Sequence, residues 1–335
     1  MIKIKKFYIE ILIYNIFLLK YFFYIIYLKM NYFNYLISSI IILLILILYF
    51  DAFDSRLKCK QEFAKLVLKY DLHLLFQNNN KSNPSNNDLL NLLNNQTELP
   101  KLYNYDTIPN NLFQIYMFYK APIPQYIFDG IKTYAPNYNH IIFNESDATQ
   151  FLTQYFDKRI IKRFNNCKLG AHKADLLRYC LLYIYGGVYI DIKTILIKSL
   201  DEIFIHKTYF YTCLESLSGV MYNGILASKP RNILFLKLIW YIINIPLYLI
   251  NAPFRLYYIT FCQDIYLTIQ KDLLNNSKLQ PGLNLGKSQN YYLFQDISSF
   301  NKSKECTKFD RYGVCNNIYD NNNKIFIGRD PNFPW

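Results

Sequence analysis

Gly170-Ala171-His172-Lys173-Ala174-Asp175-Leu176-Leu177-Arg178-Tyr179-Cys180-Leu181-Leu182-Tyr183-Ile184-Tyr185-Gly186-Gly187-Val188-Tyr189-Ile190-Asp191-Ile192-Lys193-Thr194 reads as helix, turn and strand. Ala174, Leu177, Leu181 and Ile184 recur at helical spacing and predict a buried stripe, while Asp175, Arg178, Tyr179 and Leu182 share a neighbouring face. Gly186 suits a left-handed helix cap, and Gly187 lets the chain turn tightly into the strand. Along that strand Val188, Ile190 and Ile192 point one way and Tyr189, Asp191 and Lys193 the other, as a period of two requires. Asp191 is thereby an acidic group at a strand end in apolar surroundings. In open α/β sheets ligands gather outside the carboxyl ends of strands, so this is where a site is expected. Taken singly, each residue has a plain structural reading: an i,i+3 ion pair, a helix stop, the start of a turn. Their combination in one run is what points to chemistry.

Outward from this run the pattern is strand, helix, strand, helix. Leu112 to Phe118 and His140 to Phe143 read as strands, Pro124 to Tyr134 and Ala148 to Phe156 as helices, and the alternation predicts an α/β domain with a largely parallel sheet over residues 106–335. Residues 54–105 read as a helix followed by a stem or linker, because the Asn-rich run around Gln77 to Asn87 has nothing to bury. Residues 1–53 are strongly apolar. The stretch Tyr32 to Phe53 is long enough to cross a bilayer, and Phe7 to Leu28, which carries Glu10, Asn15 and Lys20, is a second candidate for a span or an interfacial helix. Lys3, Lys5, Lys6, Lys20 and Lys29 precede the main span and Arg56, Lys58 and Lys60 follow it, which slightly favours a cytosolic N-terminus. With one span the rest of the chain faces a lumen or the exterior; with two it returns to the side of the N-terminus.

The 335 residues carry a net charge of +13, a balance that invites nucleic acid as a partner. Their Lys and Arg are scattered rather than clustered with aromatics on one face, so no nucleic-acid partner is expected. The seven cysteines form no CxxC pairs, which argues against zinc, and Cys306 and Cys315, flanking a polar stretch, are the candidate disulfide if the compartment is oxidising. Neither a GxSxG elbow, a P-loop nor a GxGxxG fingerprint is present. Asn80, Asn95, Asn144, Asn275 and Asn301 head N-x-S/T acceptors compatible with a lumenal domain.

The run A-D-x-x-R-Y-x-x-L-x-x-x-G-G-x-Y-x-D, here Ala174 to Asp191, resembles the signature of family 32 of the glycosyltransferases, the DXD sugar-binding family related to the yeast initiating α-1,6-mannosyltransferase. Ile108 to Tyr116, Tyr134 to Tyr138 and Tyr222 to Pro230 are similar to the family's flanking I-P-K-x-I-H-Q-x-W, N-P-x-Y and N-x-x-x-x-S-x-P segments, so the resemblance spans Ile108 to Pro230. It implies a GT-A fold, a Rossmann-like mixed sheet flanked by helices, which follows the N-terminal transmembrane helix read from the apolar stretch. It implies a retaining transferase that takes a nucleotide-sugar donor and a divalent metal such as Mn²⁺, and that glycosylates a glycan, glycoprotein or glycolipid. Such an enzyme is expected on a Golgi or ER membrane facing the lumen, as a type II protein, or on host endomembranes if the source is viral. The catalytic group is then Asp191, Asp175 and Arg178. Asp175 and Arg178 are assigned to the donor sugar and diphosphate, and Asp191 to ribose and metal. Gln114, Tyr116, Tyr179, Gly186, Gly187, Tyr189 and Lys193 complete the donor site, with Tyr116 either stacking on the base or serving as a core aromatic. The alternative is a catalytically silent binding or scaffold protein on the same fold.

Two departures bear on this. Lys193 stands where the second acid of D-x-D is expected, and a protonated amine cannot ligate a cation. Catalysis is then either metal-independent or uses a metal held by Asp191, phosphate oxygens and a C-terminal residue. The family's T-G-P element is not recognisable in Tyr258 to Asp264. The C-terminus, with Arg329, Asp330 and Trp335, is either a lid over the donor or a frayed tail.

Overall fold

The structure is a computed structural model that describes residues 84–101, 104–117, 121–215, 219–245, 256–299, 315–328 and Phe333. Both candidate spans, most of the stem, Cys306 and the tail residues Arg329, Asp330 and Trp335 lie outside the described residues. Among the described residues no helix is long and apolar enough to cross a membrane.

In chain order the elements are α1 (Asn86–Leu90), β1 (Asn111–Ile115), α2 (Gln125–Tyr134), β2 (Asn139–Phe143), α3 (Glu145–Tyr155), α4 (Lys158–Asn166), α5 (Gly170–Tyr185), β3 (Gly187–Ile190), β4 (Ile195–Leu196), α6 (Leu200–Ile203) and β5 (Phe210–Leu214). They continue with β6 (Met221–Ser228), α7 (Ile233–Asn244), α8 (Leu256–Asp272), β7 (Gly282–Leu285), β8 (Asn290–Ser299), β9 (Cys315–Asp320) and β10 (Asn323–Ile327). One sheet takes them in the order β2-β1-β3-β6-β5-β8-β9-β10-β4, with β7 on β8. The largely parallel sheet expected from the alternation is corrected to the mixed one that the resemblance implies: β1 runs parallel to β2 and β3, and β5 to β8, and all other pairs are antiparallel. The cause is the connections. β9 and β10 are joined through Asn321 and Asn322, both at positive φ (45° and 70°), the backbone of a tight hairpin whose twist matches its strands. Such a link permits only antiparallel pairing.

The order also dictates the shape of the sheet. β3 and β4 are six positions apart in it, yet five Cα steps separate Ile190 from Ile195. A flat sheet would set those strands about 29 Å apart, whereas five steps reach about 18 Å at most. The sheet therefore curls, and Asp191 to Thr194 link the interior strand β3 to the edge strand β4. Thr194 Oγ1 and Tyr222 Oη both donate to the Gly328 carbonyl, at 3.3 and 2.9 Å, tying the C-terminal strands over this bridge.

The sheet separates two apolar layers. Phe113, Tyr189, Leu226 and Tyr291 pack against helices α1, α3, α4, α5, α7 and α8. Leu112, Val188, Ile190 and Ala227 pack on the other face with α2 and α6. The alternation read along β3 is observed from Val188 to Ile190, and the strand ends there. α5 is not the one-striped helix its spacing predicts. From Leu176 to Ile184 every residue is buried, because helices α3, α4, α7 and α8 surround it on the sides the sheet does not cover. The stretch read as the end of a stem is part of the domain: Leu89 and Leu92 are fully buried, and Leu93 bridges Phe156. Only Leu89 of these lies in α1, and the turn after it carries Leu92 and Leu93 onto the domain.

Gly186 caps α5, though not as the left-handed cap expected. Its φ of 63° goes with a ψ of −174°, a region essentially restricted to glycine, and a Cβ there would lie 2.5 Å from the Pro230 nitrogen. At Gly187, φ is 111° and a Cβ would sit 2.6 Å from the Asn111 carbonyl oxygen, where β1 and β3 converge. Gly187→Ala is therefore expected to destabilise the domain by about 2–5 kcal/mol, backbone strain adding to the clash. A urea midpoint equal to that of the unaltered chain would show that β1 can move away at no cost.

Candidate active site

α5 and β3 meet at the Gly186-Gly187 turn and run back along each other, so side chains in the middle of the helix lie beside those at the end of the strand. Arg178 is the centre. Its guanidinium Nη2 is 3.5 Å from Asp175 Oδ1 and 3.5 Å from Asp191 Oδ1. Nε donates to the Ala174 carbonyl at 3.2 Å, and Nη1 donates to the Asn223 carbonyl. The guanidinium carbon stacks 4.3 Å from the centre of the Tyr189 ring, and the Tyr189 hydroxyl donates to Asp191 Oδ1 at 2.8 Å. Asn223 Nδ2 donates to the Tyr179 hydroxyl at 2.8 Å and to Asp175 Oδ1 at 3.3 Å. The last member is Lys193, with Nζ 3.6 Å from Asp191 Oδ2.

Asp191 is past the end of β3. Its amide donates to the Gly224 carbonyl at 2.9 Å and its own carbonyl accepts from Thr194 N at 2.8 Å, so it opens a turn rather than continuing the strand. That turn, not strand alternation, keeps the Asp191 and Lys193 side chains on one side. The cluster has an inside and an outside. Asp175 and Arg178 side chains are 7% and 6% exposed, Asp191 and Lys193 18% and 14%, so a ligand meets the second pair first.

Burial governs the protonation of the inner pair. It raises the Asp175 carboxyl to about 6, against the opposing pull of Arg178. For Arg178 burial works against the charge, and Tyr189, Asp175 and Asp191 more than reverse it, so the guanidinium stays protonated. Burial likewise pushes the Tyr179 and Tyr189 phenols up and keeps them neutral.

The sequence-predicted residues separate into two groups. Asp175, Arg178, Tyr179, Tyr189, Asp191 and Lys193 converge, with Gly186 and Gly187 shaping the turn beneath them. Gln114 is fully buried in β1, its Oε1 2.8 Å from His140 Nε2. Tyr116 follows β1, donates to the Ala121 carbonyl and packs edge-on to Phe333 at 6.4 Å. Tyr116, Ile127, Ile192 and Phe333 share a small apolar cluster, so the first strand, the Asp191 turn and one residue of the C-terminal segment meet beside the charged group.

Asn223 was not among the expected site residues, although it lies in the Tyr222 to Pro230 segment. Its place as the Asn of the N-x-x-x-x-S-x-P resemblance was the available signal. The Cys262 thiol is a second addition: burial pushes it up, next to Asp175, Glu215 and Arg178, and it puts the middle of α8 against the cluster. That is the segment in which no T-G-P element is found.

For a resident divalent metal the donor set fits poorly. Among the described residues no three His, Cys, Asp or Glu side chains come together to hold an ion. Asp191 is the carboxylate nearest the ligand side, and both its oxygens face cationic nitrogens. A divalent ion on Asp191 would lie about 5 Å from the Lys193 ammonium, a repulsion of about 7 kcal/mol at an effective dielectric constant of about 20.

Comparison with known proteins shows what the chain is similar to. Residues 124–210 match the family described as "Glycosyltransferase sugar-binding region containing DXD motif". An uncharacterized glycosyltransferase of Acanthamoeba polyphaga mimivirus is 26% identical over 137 residues, covering 38% of this chain and 53% of that protein. A mannosyl phosphorylinositol ceramide synthase of Saccharomyces cerevisiae is 33% identical over 107 residues, 30% of this chain and 26% of that one. The initiation-specific alpha-1,6-mannosyltransferase of the same yeast is 32% identical over 72 residues, 21% of this chain and 15% of that protein. The chain thus spans about half the length of the first of these relatives and about a quarter of the second.

The raised Asp175 carboxyl carries a pH signature. Its folded value lies above the ordinary 3.8, so the folded chain holds this proton more tightly than the unfolded one. The resulting stability is complete below about pH 4 and is lost as pH rises through about 6. Asp175→Asn carries a constant cost from the lost ion pair with Arg178 but has no proton to lose, so its unfolding temperature relative to the unaltered chain should rise between about pH 4 and about pH 6. Parallel pH profiles for the two proteins would mean that Asp175 is ionised throughout.

Proposed function

We propose that this chain is a membrane-anchored, retaining glycosyltransferase of GT-A type. It moves a sugar from a nucleotide-sugar donor to a hydroxyl of a glycan, glycoprotein or glycolipid. The observation that carries this is the Asp191-Lys193 pair, set on the open side of a buried Asp175-Arg178 pair at the carboxyl end of β3, on the face that α5 covers. The family match and the named relatives support the transferase chemistry, and the apolar stretch at 32–53 supports the anchor. A placement on Golgi, ER or viral-host endomembranes follows from that anchor as part of the same proposal.

In the proposed reaction the bond between the anomeric carbon and the diphosphate oxygen breaks, and its electron pair stays with the diphosphate. The acceptor hydroxyl oxygen bonds to that carbon on the same face, and its proton passes to the departing phosphate oxygen. Charge builds on the diphosphate and on the sugar ring at once. Asp191 accepts hydrogen bonds from donor hydroxyls and faces the positive charge of the ring. Arg178 has its donors committed to Asp175, Asp191, Ala174 and Asn223, so its work is to hold both carboxylates in place. Lys193 presents the cation nearest the ligand side.

Because two relatives are named for mannosyl transfer, GDP-mannose heads the donor panel, followed by UDP-glucose, UDP-galactose and the N-acetylhexosamine donors. The full chain in detergent is expected to hydrolyse one of these slowly in the absence of acceptor, and Asp191→Ala to lower that rate by about 100-fold or more. The D-x-K sequence favours one competing reading, a silent sugar-nucleotide binder on the same fold. Binding of a donor without any turnover, in the presence of candidate acceptors, would decide for that binder.

A further inference from the structure

We infer that Lys193 supplies the charge that a divalent cation supplies in a D-x-D site, so that this chain binds and activates its donor without a metal. The inference rests on the transferase reading above. It starts from a charge count over the cluster. Asp175 and Asp191 contribute two negative charges and Arg178 and Lys193 two positive ones, within ion pairs of 3.5 to 3.6 Å. The group is neutral as it stands. With an acid at 193, as the D-x-D of the matched family prescribes, the same group would carry two net negative charges, the amount one divalent cation cancels. Exchanging that acid for Lys changes the charge by two and reaches the same neutrality with no ion bound.

Geometry carries the argument further. Lys193 stands over Asp191 Oδ2 while Arg178 and Tyr189 hold Oδ1, so both oxygens of the carboxylate are already turned to the chain's own donors. The Lys193 side chain is 14% exposed, enough to reach a ligand while remaining partly desolvated. An ammonium in that position gives three N–H donors to a diphosphate. As the anomeric bond breaks and its electron pair settles on the leaving phosphate oxygen, a nearby cation of fixed position stabilises that charge. The segment that forces Lys193 there is the short bridge between β3 and β4, so the side chain has few other places to point.

The test is calorimetric binding of GDP and of UDP to the full chain, in EDTA and again with Mn²⁺, with unfolding temperature recorded for each variant. Expected is binding of one of the two in EDTA, within about threefold of its affinity in Mn²⁺. Lys193→Gln should weaken binding in EDTA by about 10- to 100-fold, the worth of one charged hydrogen bond. Lys193→Arg should recover part of that loss, and Lys193→Asp should bind only when Mn²⁺ is added. Binding by the unaltered chain that requires Mn²⁺ would overturn the inference and leave the transferase reading standing. So would undiminished binding of Lys193→Gln or Lys193→Asp in EDTA. If neither nucleotide binds in either condition, the transferase reading itself falls, and this inference with it.

Discussion

A buried guanidinium flanked by two carboxylates, with backbone carbonyls taking its remaining N–H groups, is the constraint around which the described domain is arranged. Arg178 belongs to α5, Asp191 to the turn after β3, and Asn223 to β6. Three elements therefore have to arrive at one point with their polar groups matched. The cost of failure is high, because removing one partner from a buried ion pair leaves an unpaired charge, worth about 3–5 kcal/mol. The Gly186-Gly187 turn makes the convergence possible. Only glycine tolerates the backbone at either position, and that backbone brings the strand back alongside the helix it follows. Sheet topology supplies the third condition. The short bridge between β3 and β4 brings the distant edge of the sheet back to the end of β3, where Gly328 is tied to Thr194 and Tyr222.

Much of this was legible in one run of residues. Helix, turn and strand from Gly170 to Ile190 follow from periodicity and the glycine pair, and six of the residues singled out for chemistry do converge. What escaped the sequence did so for physical reasons. The packing around α5 depends on helices far away in the chain, so a 3.6-residue period showed one stripe where every side is covered. Ladder direction depends on connections, and the Asn-Asn hairpin between β9 and β10 needs its φ values to be recognised in a chain full of asparagine. Leu89 and Leu92 sit within a polar run whose average composition hides them. Asn223 is connected to the site only by tertiary contact, across 44 residues from Tyr179.

The gradient of exposure through the cluster separates two jobs that a sequence motif merges. Asp175 and Arg178 are almost sealed, and a group in that position cannot exchange partners with a ligand without exposing the other to an unpaired state. Asp191 and Lys193 are the outer layer, held from behind by the inner one. A carboxylate whose geometry is fixed by a buried cation is a preorganised acceptor: it does not have to reorient when charge develops in front of it. The inner pair then acts through the outer pair, which explains why a motif with A-D-x-x-R on a helix accompanies an acid two turns and a strand away.

The same layering says what kind of change the site can absorb. Substituting an inner residue disturbs the fold, because its partners are buried and its charge has no solvent to retreat into. The outer layer is freer: a residue at position 193 answers mainly to Asp191 beneath it and to whatever ligand lies above. An acid there requires a bound cation to hold two carboxylates together, whereas a lysine pairs with Asp191 directly. Either arrangement satisfies electroneutrality over the cluster, and the two differ in whether the balancing charge is carried by the chain or borrowed from solution. A chain that carries its own positive charge loses the double charge and the open coordination sphere of a metal, and gains a site complete from the moment it folds.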